Sequence, residues 1–164
     1  MKASFCPYCG DKLILKEIGD EGFVPYCPCC YKPIFNMAYT CVIVAVFNEL
    51  NQVCVIKQSY GNKNFRLISG FVKMKDSLEE TVIKEVNEEI GQTVVSLKYI
   101  KSFYQEKNEN LMCGFMVKVN MKELKLSNEV SYAHFVDVNE ALAELKDAKI
   151  AHELLNNIVR DEHD

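Results

Sequence analysis

The sequence predicts an α+β chain: a small cysteine-rich module, then a larger domain in which helices cover the faces of a mixed sheet. Three observations predict it. All four prolines and five of the eight cysteines fall within the first 33 residues, so the composition changes abruptly after them. From residue 40 onward, short β-rich runs bounded by Asn, Gly or Lys follow one another. Three stretches among them repeat their apolar residues at helical spacing. A length of 164 residues leaves room for one compact core and a small appended module. The expected division is 1–36 for the module and 37–164 for the domain.

Composition narrows the classes further. With 49% hydrophobic and 26% charged residues the chain has ordinary globular usage, which excludes disordered, collagen-like and coiled-coil readings. The longest purely apolar run, 41–47, is far short of the ~20 residues a membrane helix needs. Residues 1–5 lead into the cysteines without a signal-peptide apolar region, so a cytoplasmic protein with no membrane partner is expected. A net charge of −4 carries no electrostatic footprint for nucleic acid, which is not expected as a partner.

In the module, Cys6-Pro7-Tyr8-Cys9 and Cys27-Pro28-Cys29-Cys30 form two C-x-x-C knuckles separated by 17 residues. Each knuckle presents two thiolates to one ion, and four thiolates at tetrahedral corners suit zinc. Cys6, Cys9, Cys27 and Cys30 are the expected ligands of a structural zinc. Cys29 lies inside the second knuckle and is left as a spare thiol. A disulfide framework is the rival reading, and a cytosolic chain disfavours it. Four lysines balance four acidic residues over 1–33, so the module is not a basic nucleic-acid reader. Cys41, Cys54 and Cys113 sit in apolar runs and read as buried core.

The domain reads as strands over 40–47, 53–57, 65–72, 94–104, 111–119 and 131–138. Between the third and fourth, a helix is expected over 77–90: Ser77 and Glu80 make a capping box, Leu78, Val82, Val86 and Ile90 recur every four residues, and Gly91 ends it. Two further helices are expected over 140–147 and 150–160. On the first helix, residues four apart differ in azimuth by only about 40°, so Glu85 and Glu89 share a line with Glu88 beside them, at the edge of the apolar stripe. Like charges at that spacing repel, and half-buried carboxylates add a desolvation cost. A hard divalent cation, Mg²⁺ or Mn²⁺, answers both; a solvated acidic face is the plain alternative.

Around those glutamates stand Gly70, Asp76 and Lys84-Glu85-Val86-Asn87-Glu88-Glu89-Ile90-Gly91. This frame resembles the Nudix box: glycine, five residues, glutamate, seven residues, then R-E-U-x-E-E-x-G-U with U apolar. Every spacing agrees, with Asp76 for Glu, Lys84 for Arg and Gln92 for the final apolar residue. The four-cysteine ribbon joined directly to this domain, and Ser69-Gly70-Phe71-Val72 in place of A-G-F-V, are similar to the NADH pyrophosphatase branch of the family. The extra N-terminal domain of longer members is not expected here. The downstream signature S-Q-P-W-P-F-P-x-S, tied in that branch to NAD(H) specificity, aligns with 102–110, where only Ser102 survives.

The resemblance implies a Nudix-type α/β/α sandwich and metal-dependent hydrolysis of a nucleoside diphosphate linked to another moiety, NAD(H)-like dinucleotides or ADP-ribose. It implies Mg²⁺ or Mn²⁺ held by Glu85, Glu88 and Glu89 with the Ser69 carbonyl. Glu129 is carried over as a further ligand or base, against a plain reading as an exposed strand-end acid. It also implies that Phe71 and Phe35 sandwich a base of the substrate, against core packing for each ring, and that the protein is a homodimer. The alternative is a catalytically weak or inactive module that binds a nucleotide or a protein through the same fold.

Overall fold

The computed structural model describes residues 4–61 and 63–161; Met1–Ala3, which open the expected module, and residues 62 and 162–164 lie outside the described residues. The chain divides into two compact units, Met1–Ala38 and Tyr39–Asp164.

The first unit is a three-stranded antiparallel sheet in the order β1-β2-β3, made by β1 (Ile14–Glu17), β2 (Phe23–Cys27) and β3 (Lys32–Pro33). Among the described residues its buried apolar cluster is only Cys6, Cys27 and Ile34, with Leu13 and Cys30 packed beside them. A core of that size does not offset the backbone entropy of ordering such a segment, about 1–2 kcal/mol per residue. The knuckles therefore sit where cross-linking is needed.

The second unit contains β4 (Tyr39–Phe47), β5 (Val53–Gln58), β6 (Ile68–Phe71), α1 (Leu78–Ile90), β7 (Val94–Gln105), β8 (Asn110–Val119), β9 (Val130–Val136), α2 (Val138–Glu144) and α3 (Lys149–Asp161). Its strands run β7-β8-β4-β5-β9, with β6 also on β4. β4 and β8 are parallel and every other pair is antiparallel, which makes the sheet mixed. β4 is the central strand, and alternate residues feed two cores. Cys41, Ile43, Ala45 and Phe47 pack with Leu145, Leu154, Leu155 and Ile158 of the α2–α3 side. Val42, Val44 and Val46 pack with Val82, Val86 and Ile90 of α1. Burial on both faces is why 41–47 reads as one continuous apolar run. The result is the expected α/β/α sandwich.

α1 forms as its sequence dictates. The Glu80 backbone N–H donates to Ser77 Oγ at 3.1 Å and the Ser77 N–H donates to Glu80 Oε2 at 2.9 Å. The helix ends where Gly91 turns left-handed, φ 67° and ψ 21°. A Cβ there would also lie 2.7 Å from Cβ of Lys125, so glycine is required twice over.

Two expected elements shift most. The strand expected over 65–72 shrinks to β6, because Arg66 first bridges Ile56 through paired 3.0 Å backbone bonds before the chain crosses to β4. The helix expected over 140–147 runs from Val138 to Glu144, with extended Asp137 (φ −62°, ψ 150°) preceding it. Among the described residues no helix is long and apolar enough to cross a membrane.

Candidate active site and cysteine cluster

The two knuckles bring Cys6, Cys9, Cys27 and Cys30 together, with all four sulfurs within 4.8 Å of one another. Cys6 Sγ is 3.9 Å from Cys30 Sγ, and Cys9 Sγ is 3.5 Å from Cys27 Sγ. A tetrahedron with metal–sulfur bonds of about 2.3 Å has edges of about 3.8 Å, so the spacing fits zinc. All eight cysteines are free thiols, which leaves the disulfide reading without a pair. Crowding shows in the thiols themselves. Burial works to raise the Cys6 thiol, but the Tyr8 and Cys9 backbone N–H groups and the Cys27 and Cys9 thiols outweigh it and bring it down to about 7. The Cys30 thiol is pushed well up, first by the Cys9 thiol and then by burial.

In the second unit, α1, β6, the end of β5 and the segment before β9 enclose a cavity of about 710 Å³. Glu85, Glu88 and Glu89 line it from α1, and Glu129 lines it from the segment before β9. The Tyr60 hydroxyl donates to Glu129 Oε2 at 3.4 Å, and the Ser59 N–H donates to the Glu129 carbonyl at 2.8 Å. Glu129 is exposed, as the plain reading of it required, yet it faces the same cavity. Gly70 is glycine for a reason of contact: a Cβ there would overlap the Glu85 carboxyl group. Ser69 and Phe71 flank it on β6, where Ser69 pairs with Ile43, Gly70 with Val42 and Phe71 with Cys41.

Glu89 is only 5% exposed, and its Oε2 has no hydrogen-bond partner. Burial, then Glu85 and Glu129, push its carboxyl up to about 8, with Arg66 opposing and Glu88 adding a little. Burial also raises Glu85, followed by Glu88; Lys73 opposes and Glu129 adds. Four carboxylates thus share a cavity whose cations, among the described residues, are Lys73 and Arg66. Oxygen donors with an orphaned buried carboxylate oxygen suit a hard divalent cation.

The three departures from the box pattern have local explanations. Lys84 Nζ lies 2.7 Å from Asp76 Oδ1, so the two substituted positions form one ion pair, and neither lines the cavity. Gln92 is fully buried. Its Oε1 accepts from the Lys122 N–H at 2.9 Å, while its Nε2 lies within 3.3 Å of the Ile90, Lys122 and Glu123 carbonyls. Together with Lys125 N–H to Ile90 O (3.1 Å) and Ser127 N–H to Glu89 O (3.2 Å), it ties the segment carrying Glu129 to the end of α1. Gln92→Leu is expected to cost about 1–3 kcal/mol by leaving those groups unpaired. Urea melts check this; an unchanged midpoint contradicts it.

Phe71 lines the cavity, is 57% exposed, and meets Tyr39 edge-on with centroids 6.2 Å apart. Phe35 belongs to the first unit, is 48% exposed, and lines a small cavity there with Leu15, Phe23 and Pro25. Neither ring is core. Sequence reasoning did not find Tyr60, Arg66, Lys73 or Gln58, which complete the wall of the carboxylate cavity. Arg66 is held by Gln58 Oε1 at 2.6 Å. The chain has only two arginines, and one standing four residues before Gly70 was the available signal.

This sandwich, with glutamates of one helix against a glycine of the adjoining strand, matches a family model described as the NUDIX domain over residues 38–158. The chain belongs to the Nudix family. Among curated relatives it is 28% identical over 159 residues to the NAD-capped RNA hydrolase NudC of Vibrio parahaemolyticus, covering 96% of this chain and 60% of that protein. It is 29% identical over 121 residues to NudC of Photobacterium profundum, covering 74% and 44%. The chain therefore spans only about 60% of the length of the first of these relatives and less of the second. A NUDIX hydrolase from Nitrosomonas europaea superposes with a TM-score of 0.79 at 19% identity, covering 98% of this chain and 93% of that one. The NUDIX domain of Shewanella oneidensis NrtR, solved with ADP ribose, superposes with 0.65 at 14% identity, covering 85% and 94%. Both are likenesses of fold.

Proposed function

We propose that this chain is a divalent-metal-dependent pyrophosphohydrolase that cleaves the diphosphate of a nucleoside diphosphate linked to another moiety, NAD(H)-like dinucleotides or ADP-ribose. The observation that carries the reading is the convergence of Glu85, Glu88, Glu89 and Glu129 on one cavity, with Glu89 buried and lacking a partner for Oε2. A volume of about 710 Å³ is within the usual range of small-ligand sites.

Glu85, Glu88 and Glu89, with the Ser69 carbonyl, would hold Mg²⁺ or Mn²⁺. Such a cation supplies polarisation of the phosphoryl oxygens and a more acidic water. Glu129, steadied by Tyr60, takes the proton of the attacking water or adds an oxygen donor. Lys73 and Arg66, which line the same cavity, meet the phosphate oxygens and balance charge growing on the bridging oxygen as its bond to phosphorus breaks. Phe71, on the carboxylate cavity, offers a flat face for a base. Stacking contributes about 1–3 kcal/mol whichever base is present. Phe71→Leu is therefore expected to raise KM roughly tenfold with kcat less affected; an unchanged KM with a lower Tm returns the ring to a packing role.

The four-cysteine site is assigned one structural zinc: with four protein ligands it keeps no position for a reacting water. Unpaired thiols throughout fit a reducing cytoplasm. A homodimer belongs to the same reading and is checked by sedimentation. The substrate is tested by incubating the full chain and Mn²⁺ or Mg²⁺ with NADH, NAD, ADP-ribose, FAD, diadenosine phosphates and nucleoside triphosphates. A short NAD-capped RNA joins the set because the relatives are named for that activity. Release of two phosphorylated halves from a dinucleotide or ADP-ribose supports the reading. Ligand binding with no turnover on any of them favours the binding module instead.

A further inference from the structure

We propose that Cys9 and Cys29 are a peroxide-responsive thiol pair whose closure to a disulfide removes one ligand from the four-cysteine site. The inference rests on the zinc assignment above and is independent of the hydrolase reading. Cys29 is not needed for a four-ligand site, yet its sulfur, that of Cys9 and a carboxylate oxygen of Asp11 lie within 4.8 Å of one another.

Exposure selects the partner. Of the four ligand cysteines, Cys6 and Cys27 are buried and Cys30 is half-buried, whereas Cys9 is exposed, as is Cys29. Cys41, Cys54 and Cys113 are buried. A small oxidant in solution therefore meets two accessible thiols, and these two already stand near each other. A disulfide needs the sulfurs at about 2.05 Å, and rotation of two exposed side chains is the simplest way to close the gap.

The chemistry balances with hydrogen peroxide as the oxidant. The Cys29 sulfur attacks one peroxide oxygen, the O–O bond breaks, and Cys29 becomes a sulfenic acid while the other oxygen leaves as water. The Cys9 sulfur then attacks the Cys29 sulfur; the S–S bond forms, the S–O bond breaks, and a second water leaves. In sum, the two sulfurs give up two electrons and one peroxide becomes two waters, taking one proton from the Cys29 thiol and one from solvent because Cys9 enters as a metal-bound thiolate. Cys9 in a disulfide is no longer a thiolate donor, so the metal keeps three of its four ligands. In a unit with so small an apolar core, this is expected to release the ion, and a dithiol reductant reverses the step.

The test uses the full chain as purified, its zinc content measured first, in wild type and Cys29→Ser. Each is treated with equimolar hydrogen peroxide in the presence of a chromogenic zinc chelator, then examined by intact mass and non-reducing peptide mapping. Wild type is expected to lose the mass of two hydrogens, show a Cys9–Cys29 cross-link, release zinc, and recover on reduction. Cys29→Ser is expected to hold its zinc at least severalfold longer. The proposal is overturned if Cys29→Ser releases zinc as fast as wild type, if Cys9 maps to another cysteine, or if Cys29 accumulates as sulfinic acid without a cross-link. A chain without zinc before treatment overturns the zinc assignment and the release that depends on it, while the peptide map still decides the thiol pair.

Discussion

Replacing Glu89 by Gln is expected to lower turnover of the diphosphate substrate by about 10²–10³-fold or more, with the fold intact. The side chain is nearly fully buried at the cavity wall, and its Oε2 has no hydrogen-bond partner, so on the proposed function it is a donor to the cation. Glutamine keeps the shape and removes the charge. The same change has a signature in stability, because burial and neighbouring carboxylates raise the Glu89 carboxyl to about 8 in the folded chain. A group raised on folding contributes fully below its unfolded value, near 4.5, and loses that contribution as pH rises through about 8. Without metal, wild type is therefore expected to lose stability between those limits, at up to about 1.4 kcal/mol per pH unit. Glu89→Gln should flatten that slope, and so should Mn²⁺, which takes the place of the proton. Urea midpoints at several pH values with and without Mn²⁺ measure it. Equal slopes in both proteins contradict the assignment of Glu89.

Cys6→Ser is expected to unfold the first unit and leave the second standing. Among the described residues the first unit buries only Cys6, Val24, Cys27 and Ile34 as apolar core, while metal binding to a four-thiolate site supplies on the order of 10 kcal/mol. The second unit has two cores of its own, one on each face of β4, and does not draw on that source. Hydrogen exchange followed by mass spectrometry separates the two: amides of the first unit should lose protection, and those of β4 and α1 should keep it. Full protection in β2 without zinc would falsify the structural role of the metal.

Much of this was legible where signals are local. The capping box at Ser77 and Glu80, the four-residue apolar repeat and the glycine stop all lie close together in the chain, so α1 and its line of glutamates could be read directly. So could the two knuckles, whose spacing alone brings four sulfurs together. What could not be read were meetings between distant segments. That Gly70 is glycine because the Glu85 carboxyl lies against it depends on β6 pairing with β4 beneath α1. Gln92 looked like a lapse in an apolar position, and only the path of residues 122–127 shows it as an anchor. Lys84 and Asp76 stand in the sequence as two separate departures from the box and in the structure are one ion pair. Tyr60, Lys73 and Arg66 reach the cavity from three separate stretches, and no spacing rule connects them.

The most direct test of metal-dependent diphosphate cleavage at the glutamate cavity is product formation from NADH and ADP-ribose by the full chain, measured by chromatography with Mn²⁺ and again with excess EDTA. The expected result is two phosphorylated halves in Mn²⁺, none above background in EDTA, and from Glu89→Gln in Mn²⁺ a rate lower by about 10²–10³-fold or more. Equal product in Mn²⁺ and EDTA, or full activity in Glu89→Gln, would contradict it.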